Sequence, residues 1–431
     1  MATSRLRAGD EIELTIDKAA AGGRMIARHE GQVVLVAGAV PGERVRARIE
    51  KADKRLAFAA TTSVVEASPD RRAGFADPNC GGCVYSHVAY PRQLLLKTDI
   101  VRDAFARIGH LPVDGPLPIS GSPESGYRMR ARLHADRGRV GFFREGTHTL
   151  CDPAATSQLT PESLESARTA VEEIARAGAR ATAVELIENI AATERALAIA
   201  VDDAEPITRG VLSRLTDAAR IGGCVVLDLK GARVAAGELT VGDAIAALSM
   251  GRASGGELRR HPESFFQANR FLVPKLVARV VDDAGPGERI LDLYAGVGLF
   301  AVTLAAAGRR GITAVEGDRS SGGDLCRNAG PFGAAVTLAL ESVESWLASL
   351  DRRARPDTVI VDPPRTGMSS EASTALIGLH APRLVYVSCD APTLARDARK
   401  LVDAGYRLTR LEAFDLFPNT PHVECVAVFE R

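Results

Sequence analysis

The stretch that most narrows the fold is residues 358–368, Thr-Val-Ile-Val-Asp-Pro-Pro-Arg-Thr-Gly-Met. Four strand-forming residues run without polar alternation into Asp362-Pro363-Pro364. Such a run is buried on both faces, the condition of a parallel strand covered by helices. The two prolines cannot donate to a ladder, so the strand ends there in a rigid turn. Asp362 and Arg365 are thereby presented at a carboxyl end, where open α/β sheets hold their ligands. A second strand, Leu-Val-Tyr-Val-Ser at 384–388, delivers Cys389 and Asp390 in the same way, and His422-Val423-Glu424 leads into Val-Ala-Val-Phe at 426–429. Asp362, Cys389 and Glu424 are therefore expected to converge on one rim.

Residues 289–300, Arg-Ile-Leu-Asp-Leu-Tyr-Ala-Gly-Val-Gly-Leu-Phe, read as strand, glycine turn and helix, and Ile-Thr-Ala-Val at 312–315 ends in Glu316. This is a nucleotide-binding βαβ unit: Gly296 and Gly298 allow close backbone approach, and an acid ending the second strand takes ribose hydroxyls. A dinucleotide site would carry a third glycine where Ala301 stands. With no pyrophosphate to cradle, the adenosine of S-adenosylmethionine fits better than NAD.

A chain of 431 residues, 46% apolar and 25% charged, buries more than one core. Lys plus Arg equals Asp plus Glu at 54 each, so any nucleic-acid footprint has to be regional. Two regions qualify. Residues 10–66 read as short strands broken by glycines, the pattern of a small barrel. Within it Arg44, Arg46 and Arg48 share one strand face opposite Val45, Ala47 and Ile49. That face is either a phosphate track or an ordinary solvated surface, with Glu43, Glu50 and Asp53 close in sequence. In Tyr-Arg-Met-Arg-Ala-Arg-Leu at 127–133, Arg128, Arg130 and Arg132 repeat the alternation.

Seven cysteines, an odd number, do not suggest a disulfide framework. Cys80-Gly-Gly-Cys83 has metal-ligand spacing, which equally suits a redox pair or a tight glycine turn. Cys224 is expected in a core. Helices are predicted over 91–109 and 161–178, strands and helices alternate from 184 to about 247, a hinge is expected near 252–257, and Ser-Phe-Phe-Gln-Ala-Asn at 264–269 is expected to open a helix. No apolar run reaches membrane-spanning length and the first residues lack the apolar core of a signal peptide, so a cytoplasmic protein without membrane contact is expected.

These residues resemble the S-adenosylmethionine-dependent RNA uracil-5-methyltransferases acting on tRNA and large-subunit rRNA. Five stretches carry the resemblance in the family's order: Phe-Phe-Gln-Ala-Asn, Leu-Asp-Leu-Tyr-Ala-Gly-Val-Gly, Asp-Pro-Pro-Arg-Thr-Gly, Val-Ser-Cys-Asp-Ala-Pro-Thr-Leu-Ala-Arg-Asp and Phe-Pro-Asn-Thr-Pro-His-Val-Glu. Val-Pro-Gly-Glu-Arg-Val at 40–45 resembles the TRAM domain, an OB-like RNA-binding module, which favours the phosphate-track reading of the first arginine face. The resemblance implies a multidomain α/β protein: a TRAM-like β-barrel over 1–67, a central α+β domain over 68–256 and a Rossmann-like methyltransferase domain over 257–431. It puts Gln267, Tyr294, Glu316 and Asp362 on cofactor-binding positions beside Gly296 and Gly298, Cys389 on the nucleophile and Glu424 on the general base. It also implies a tRNA or rRNA substrate and no protein partner; a monomer is expected. The family's iron–sulfur cluster would use Cys80, Cys83 and Cys151, but the upstream fourth ligand falls near Gly74. Two further departures are Ala295, where the family commonly has Cys, and Asp390, where it commonly has Asn; an acid there would raise the pKa of the adjacent thiol.

The chemistry suits the residues. Carbon 5 of uracil is a poor nucleophile until a thiolate adds to carbon 6, the role expected of Cys389, and the carbon 5 proton must later leave to a carboxylate, the role expected of Glu424. Arg365 is placed to help ionise the thiol. An RNA cytosine-5-methyltransferase would use similar thiol chemistry, and an RNA-binding factor on a methyltransferase scaffold would need neither Cys389 nor Glu424.

Overall fold

The computed structural model describes residues 6–350 and 355–431, so the first five residues of the expected barrel lie outside it. Glu11–Ala19, Met25–His29, Gln32–Ala37, Leu56–Glu66 and Arg44–Ala52 close into a barrel. Their alternation sends Leu14, Ile16, Val34, Val36, Val45, Ala47 and Ile49 into its core. The intervening arginines of Arg44–Ala52 are left on the outside.

A seven-stranded sheet follows, in the order Arg233–Gly237, Gly223–Asp228, Arg195–Val201, Ala181–Glu188, Arg130–Asp136, Arg139–Phe143, Leu150–Cys151. Helices Pro161–Arg176 and Arg209–Ala219 bury Leu164, Val171, Leu212 and Leu215 against Leu133, Leu186, Ile199 and Val226. Thr160 starts the first helix by accepting the Ser163 N–H, and Thr208 starts the second through Val211. Cys224 is fully buried here, as its apolar neighbours require.

The third unit is an eight-stranded sheet ordered Val336–Ala339, Ile312–Val315, Ile290–Leu293, Thr358–Val361, Arg383–Ser388, Glu424–Glu430, Arg407–Phe414, Ile119–Ser120. Leu293, Val315 and Val361 are in register at the carboxyl ends of parallel strands, and Ser388 pairs with Cys425 across the one antiparallel insertion. The residues that follow Leu293, Val315, Val361 and Ser388, and the one that precedes Cys425, therefore land on one edge.

Two elements reach this sheet from far upstream. Ile119–Ser120 pairs parallel with Ala413 and Phe414 at its border. Helix Tyr90–Arg107, with Pro91 in its first turn, sends Val101, Ala104 and Phe105 into the same core as Leu394, Ala398 and Leu401. Residues 264–271, expected to begin a helix, are instead an irregular loop with one bridge, Asn269 to Arg128. Met129 donates to the Ala268 carbonyl and Arg270 to that of Tyr127, and the Asn269 side chain accepts the Phe271 and Leu272 N–H groups. Pairing with the 127–129 segment outweighs local helix propensity, and the helix begins only at Val273. No helix among the described residues is long and apolar enough to cross a membrane.

Buried charges join the central sheet to this loop. Glu188, wholly buried, accepts from Ser163, Arg195 and Arg270, and Arg260 pairs with Asp243 at 2.6 Å while its guanidinium lies 4.0 Å from the Phe266 ring centre.

Candidate active site

The parallel register sets the rim. Tyr294, Glu316 and Asp362 follow directly on Leu293, Val315 and Val361; Cys389 follows Ser388, and Glu424 begins the strand paired to it.

The glycine turn is built around Tyr294, whose φ of 63° puts a tyrosine in the left-handed region. Its hydroxyl donates to Glu344 at 3.3 Å. Gly296 donates its N–H to Glu316 at 2.7 Å, tying the turn to the end of the neighbouring strand. Gly298 has φ 91°, and a Cβ there would lie 2.7 Å from Val302 and 2.8 Å from Leu325, so only glycine closes the turn onto helix Leu299–Ala306. Beneath it lies Asp292, which the sequence reading passed over. One of its oxygens accepts the Ala301 N–H at 2.8 Å, and the other, buried, has no partner among the described residues. Burial pushes this carboxyl up to about 8, with Asp362 and Glu316 adding repulsion. The signal was present in Leu-Asp-Leu, an acid inside an otherwise apolar strand.

The second cluster brings together Asp362, Glu424 and Cys389, with Arg365 beside the thiol. Asp362 is reached by the Gln267 amide at 3.5 Å, and burial pushes it up to about 7. Glu424 is 3% exposed, and among the described residues its side chain has no hydrogen-bond partner. Burial and the neighbouring Asp362 hold it well above the ordinary carboxylate range, against the pull of Arg365. Cys389 is half-buried, and its thiol is pushed up to about 11 by burial and by Glu424, with Arg365 opposing. Asp390 is not the acid that acts on it: its carboxylate turns away to cap helix Ala391–Asp403, accepting the Thr393 N–H at 2.8 Å.

The arginine faces are less open than their alternation suggested. Arg44 pairs with Glu13 at 2.5 Å and with Glu66, and Arg48 pairs with Glu11 at 2.9 Å, all on strands neighbouring Arg44–Ala52. Arg46 has no ion-pair partner among the described residues and is exposed. Arg128 is drawn inward, donating to Gln158 at 2.6 Å between the Phe142 and Phe417 rings. Arg130 and Arg132 share Glu185, and the Arg130 guanidinium lies 5.7 Å from the centre of the exposed Phe265 ring.

Cys80 is disulfide-bonded to Cys151, and Cys83 is a buried thiol pushed up to about 12 by burial and Asp77. Among the described residues no three His, Cys, Asp or Glu side chains are grouped as a metal would need. With the fourth position at Gly74 and two thiols bonded to each other, these residues do not fit a four-thiolate cluster.

The tRNA (uracil-5-)-methyltransferase family model matches residues 348–431, and the TRAM domain model matches residues 5–61. The 23S rRNA (uracil(1939)-C(5))-methyltransferase RlmD of Pseudomonas fluorescens is 32% identical, over 98% of this chain and 92% of its own length. The RlmD of Alkalilimnicola ehrlichii is 33% identical, over 98% of this chain and 97% of its own. The crystal structure of Pyrococcus abyssi tRNA (uracil-54, C5)-methyltransferase in complex with S-adenosyl-L-homocysteine superposes with a TM-score of 0.74 at 23% identity, covering 97% of this chain and all of that one.

Proposed function

The chain belongs to the RNA (uracil-5-)methyltransferase family, and from that premise we propose that it methylates carbon 5 of a uridine in RNA, with Cys389 as nucleophile and Glu424 as base. The observation that carries the reading is the meeting of a half-buried thiol, an arginine and an unpartnered buried carboxylate beside an acidic nucleotide turn. That turn suits a cation. Burial, with repulsion from Asp362 and Glu316, penalises the charged form of Asp292, a penalty that the sulfonium and ammonium of S-adenosylmethionine would relieve. Glu316 and the Gly296–Gly298 backbone would hold its adenosine, Tyr294 and Asp292 would line the turn, and Gln267 and Asp362 would face its far end.

The Cys389 thiolate forms a bond to carbon 6, and the ring electrons move onto the carbonyl oxygen at carbon 4 as an enolate. Arg365 favours the thiolate before attack. S-adenosylmethionine, when bound, supplies an electrophilic methyl group to carbon 5. Glu424 then removes the proton on carbon 5, the 5,6 double bond returns, and the sulfur departs as thiolate. The base must leave its stack to reach the thiol, at about a few kcal/mol, which favours a loop or single strand. Arg46 and the Arg130–Arg132 edge are the cations proposed to meet the phosphates; Arg44 and Arg48 would first have to exchange carboxylates for phosphates, and Arg128 supports the wall.

The relatives named as 23S rRNA enzymes make that RNA the first substrate to examine, with tRNA alongside. Mapping 5-methyluridine in both from cells with and without the gene should show one or more sites lost. In vitro, Cys389→Ala should give neither adduct nor product. Glu424→Gln should methylate and then stall as a denaturation-resistant protein–RNA adduct carrying the transferred methyl. Wild-type turnover by Glu424→Gln would assign the base elsewhere.

A further inference from the structure

Glu424 is a buried carboxylate with no hydrogen-bond partner among the described residues, so its direction depends on the backbone that delivers it. That backbone is the strap of residues 415–423, which leaves the sheet after Phe414 and returns at Glu424, the two residues being paired across its root. The sheet's border strand holds the start of the strap, Ser120 accepting the Asp415 N–H at 2.9 Å, and Asn269 donates to the Leu416 carbonyl at 3.0 Å; further bonds come from the segment before and within helix Tyr90–Arg107. Asn419, at φ 64°, donates its N–H to Gln93 at 2.8 Å, accepts the Tyr85 N–H at its carbonyl at 2.8 Å, and accepts Arg72 and Gln93 at its side chain. At the root, Asp415 accepts the Tyr90 hydroxyl at 2.8 Å and the Lys97 ammonium. Lys97 also donates to the Phe417 carbonyl at 3.0 Å, and both Lys97 and Asp415 are wholly buried.

We propose that Lys97, through Asp415 and the Phe417 carbonyl, is a positioning residue for Glu424: it fixes the strap so that the carboxylate faces carbon 5 of the thiol-bound base. Lys97 is not among the charges that act on the Cys389 thiol or the Glu424 carboxylate, so its route to them is the strap. Its contribution falls on the step that Glu424 performs, proton removal and release, more than on thiol addition or methyl transfer. This rests on Glu424 being the base.

The test compares Lys97→Met, the double variant Lys97→Met/Asp415→Asn and Glu424→Gln, on RNA transcripts with labelled S-adenosylmethionine. The double variant removes both charges together, so no lone buried ion is left to unfold the protein. Adduct and free methylated RNA are quantified separately, with thermal melting as the check on folding. In both Lys97 variants, release should slow by about tenfold or more relative to methyl transfer, and methylated adduct should accumulate as it does in Glu424→Gln. If addition and release slow in equal proportion, or turnover per folded molecule is unchanged, Lys97 serves the fold alone and the proposal is overturned. If Glu424→Gln itself shows no adduct, the fault lies with the assignment of the base.

Discussion

A Cys389 thiol pushed up to about 11 is protonated at neutral pH, so the thiolate proposed to attack carbon 6 is scarce in the empty protein. Below that value the thiolate fraction rises about tenfold per pH unit. The single-turnover rate of adduct formation should therefore climb with pH between about 7 and 9 on a logarithmic slope near one. A flat profile would mean that another group takes the thiol proton once RNA is bound. Arg365→Gln removes the cation that opposes the shift and should slow addition about tenfold for each pKa unit lost. Sequence alone placed Arg365 beside the thiol, where it lowers the pKa, and misjudged Asp390, because an acid next to a cysteine can spend its charge on a helix N-terminus instead. The real acidic neighbours, Glu424 and Asp362, come from other strands, and only the sheet order brings them there.

Among the elements, strand Arg44–Ala52 shows why alternation is an incomplete guide. Period two correctly separates its arginines from its apolar face, but whether a cation is free depends on Glu11, Glu13 and Glu66 across the ladder. Arg46→Ala should weaken RNA binding and lower the slope of log affinity against log salt by about one unit, whereas Arg48→Ala should do less. Equal effects would show that RNA displaces the carboxylates. The 264–271 loop was misread for a related reason: its partner strand lies far upstream, and propensity does not see it. The cysteines give a further check. Denatured, unreduced protein should titrate with five thiols, the bonded Cys80 and Cys151 staying silent, and anaerobically purified protein should yield no stoichiometric iron or sulfide. Seven thiols with bound iron would reverse both statements.

Across the molecule, the barrel and the parallel sheet were legible because glycine spacing and apolar runs are local signals. The sharing of elements was not. Helix Tyr90–Arg107 and strand Ile119–Ser120 precede the central sheet in the chain yet complete the core and border of the catalytic one. The buried ions that join the units were likewise invisible, since their partners are widely separated in sequence. Removing one member of a buried pair costs roughly 3–5 kcal/mol. Arg195 still faces Glu188, so Arg270→Met should fall at the lower end, read as a drop in the urea midpoint of the transition that includes the central sheet. Methylation should fall with it, because Arg270 adjoins the loop that presents Gln267.

Strand Glu424–Glu430 lies between Arg383–Ser388 and Arg407–Phe414, so the catalytic sheet cannot close by adding strands as they leave the ribosome. Helix Tyr90–Arg107 emerges early and must wait, with Val101 and Phe105 uncovered, for a core made much later. At roughly 5–20 residues per second that interval is tens of seconds. The nascent chain is thus expected to expose apolar surface through much of its synthesis and to complete this rim in one late step, when the strand that brings Glu424 slots into the gap. Chaperone demand during translation, and the absence of any half-made active methyltransferase on the ribosome, follow from where that one strand sits.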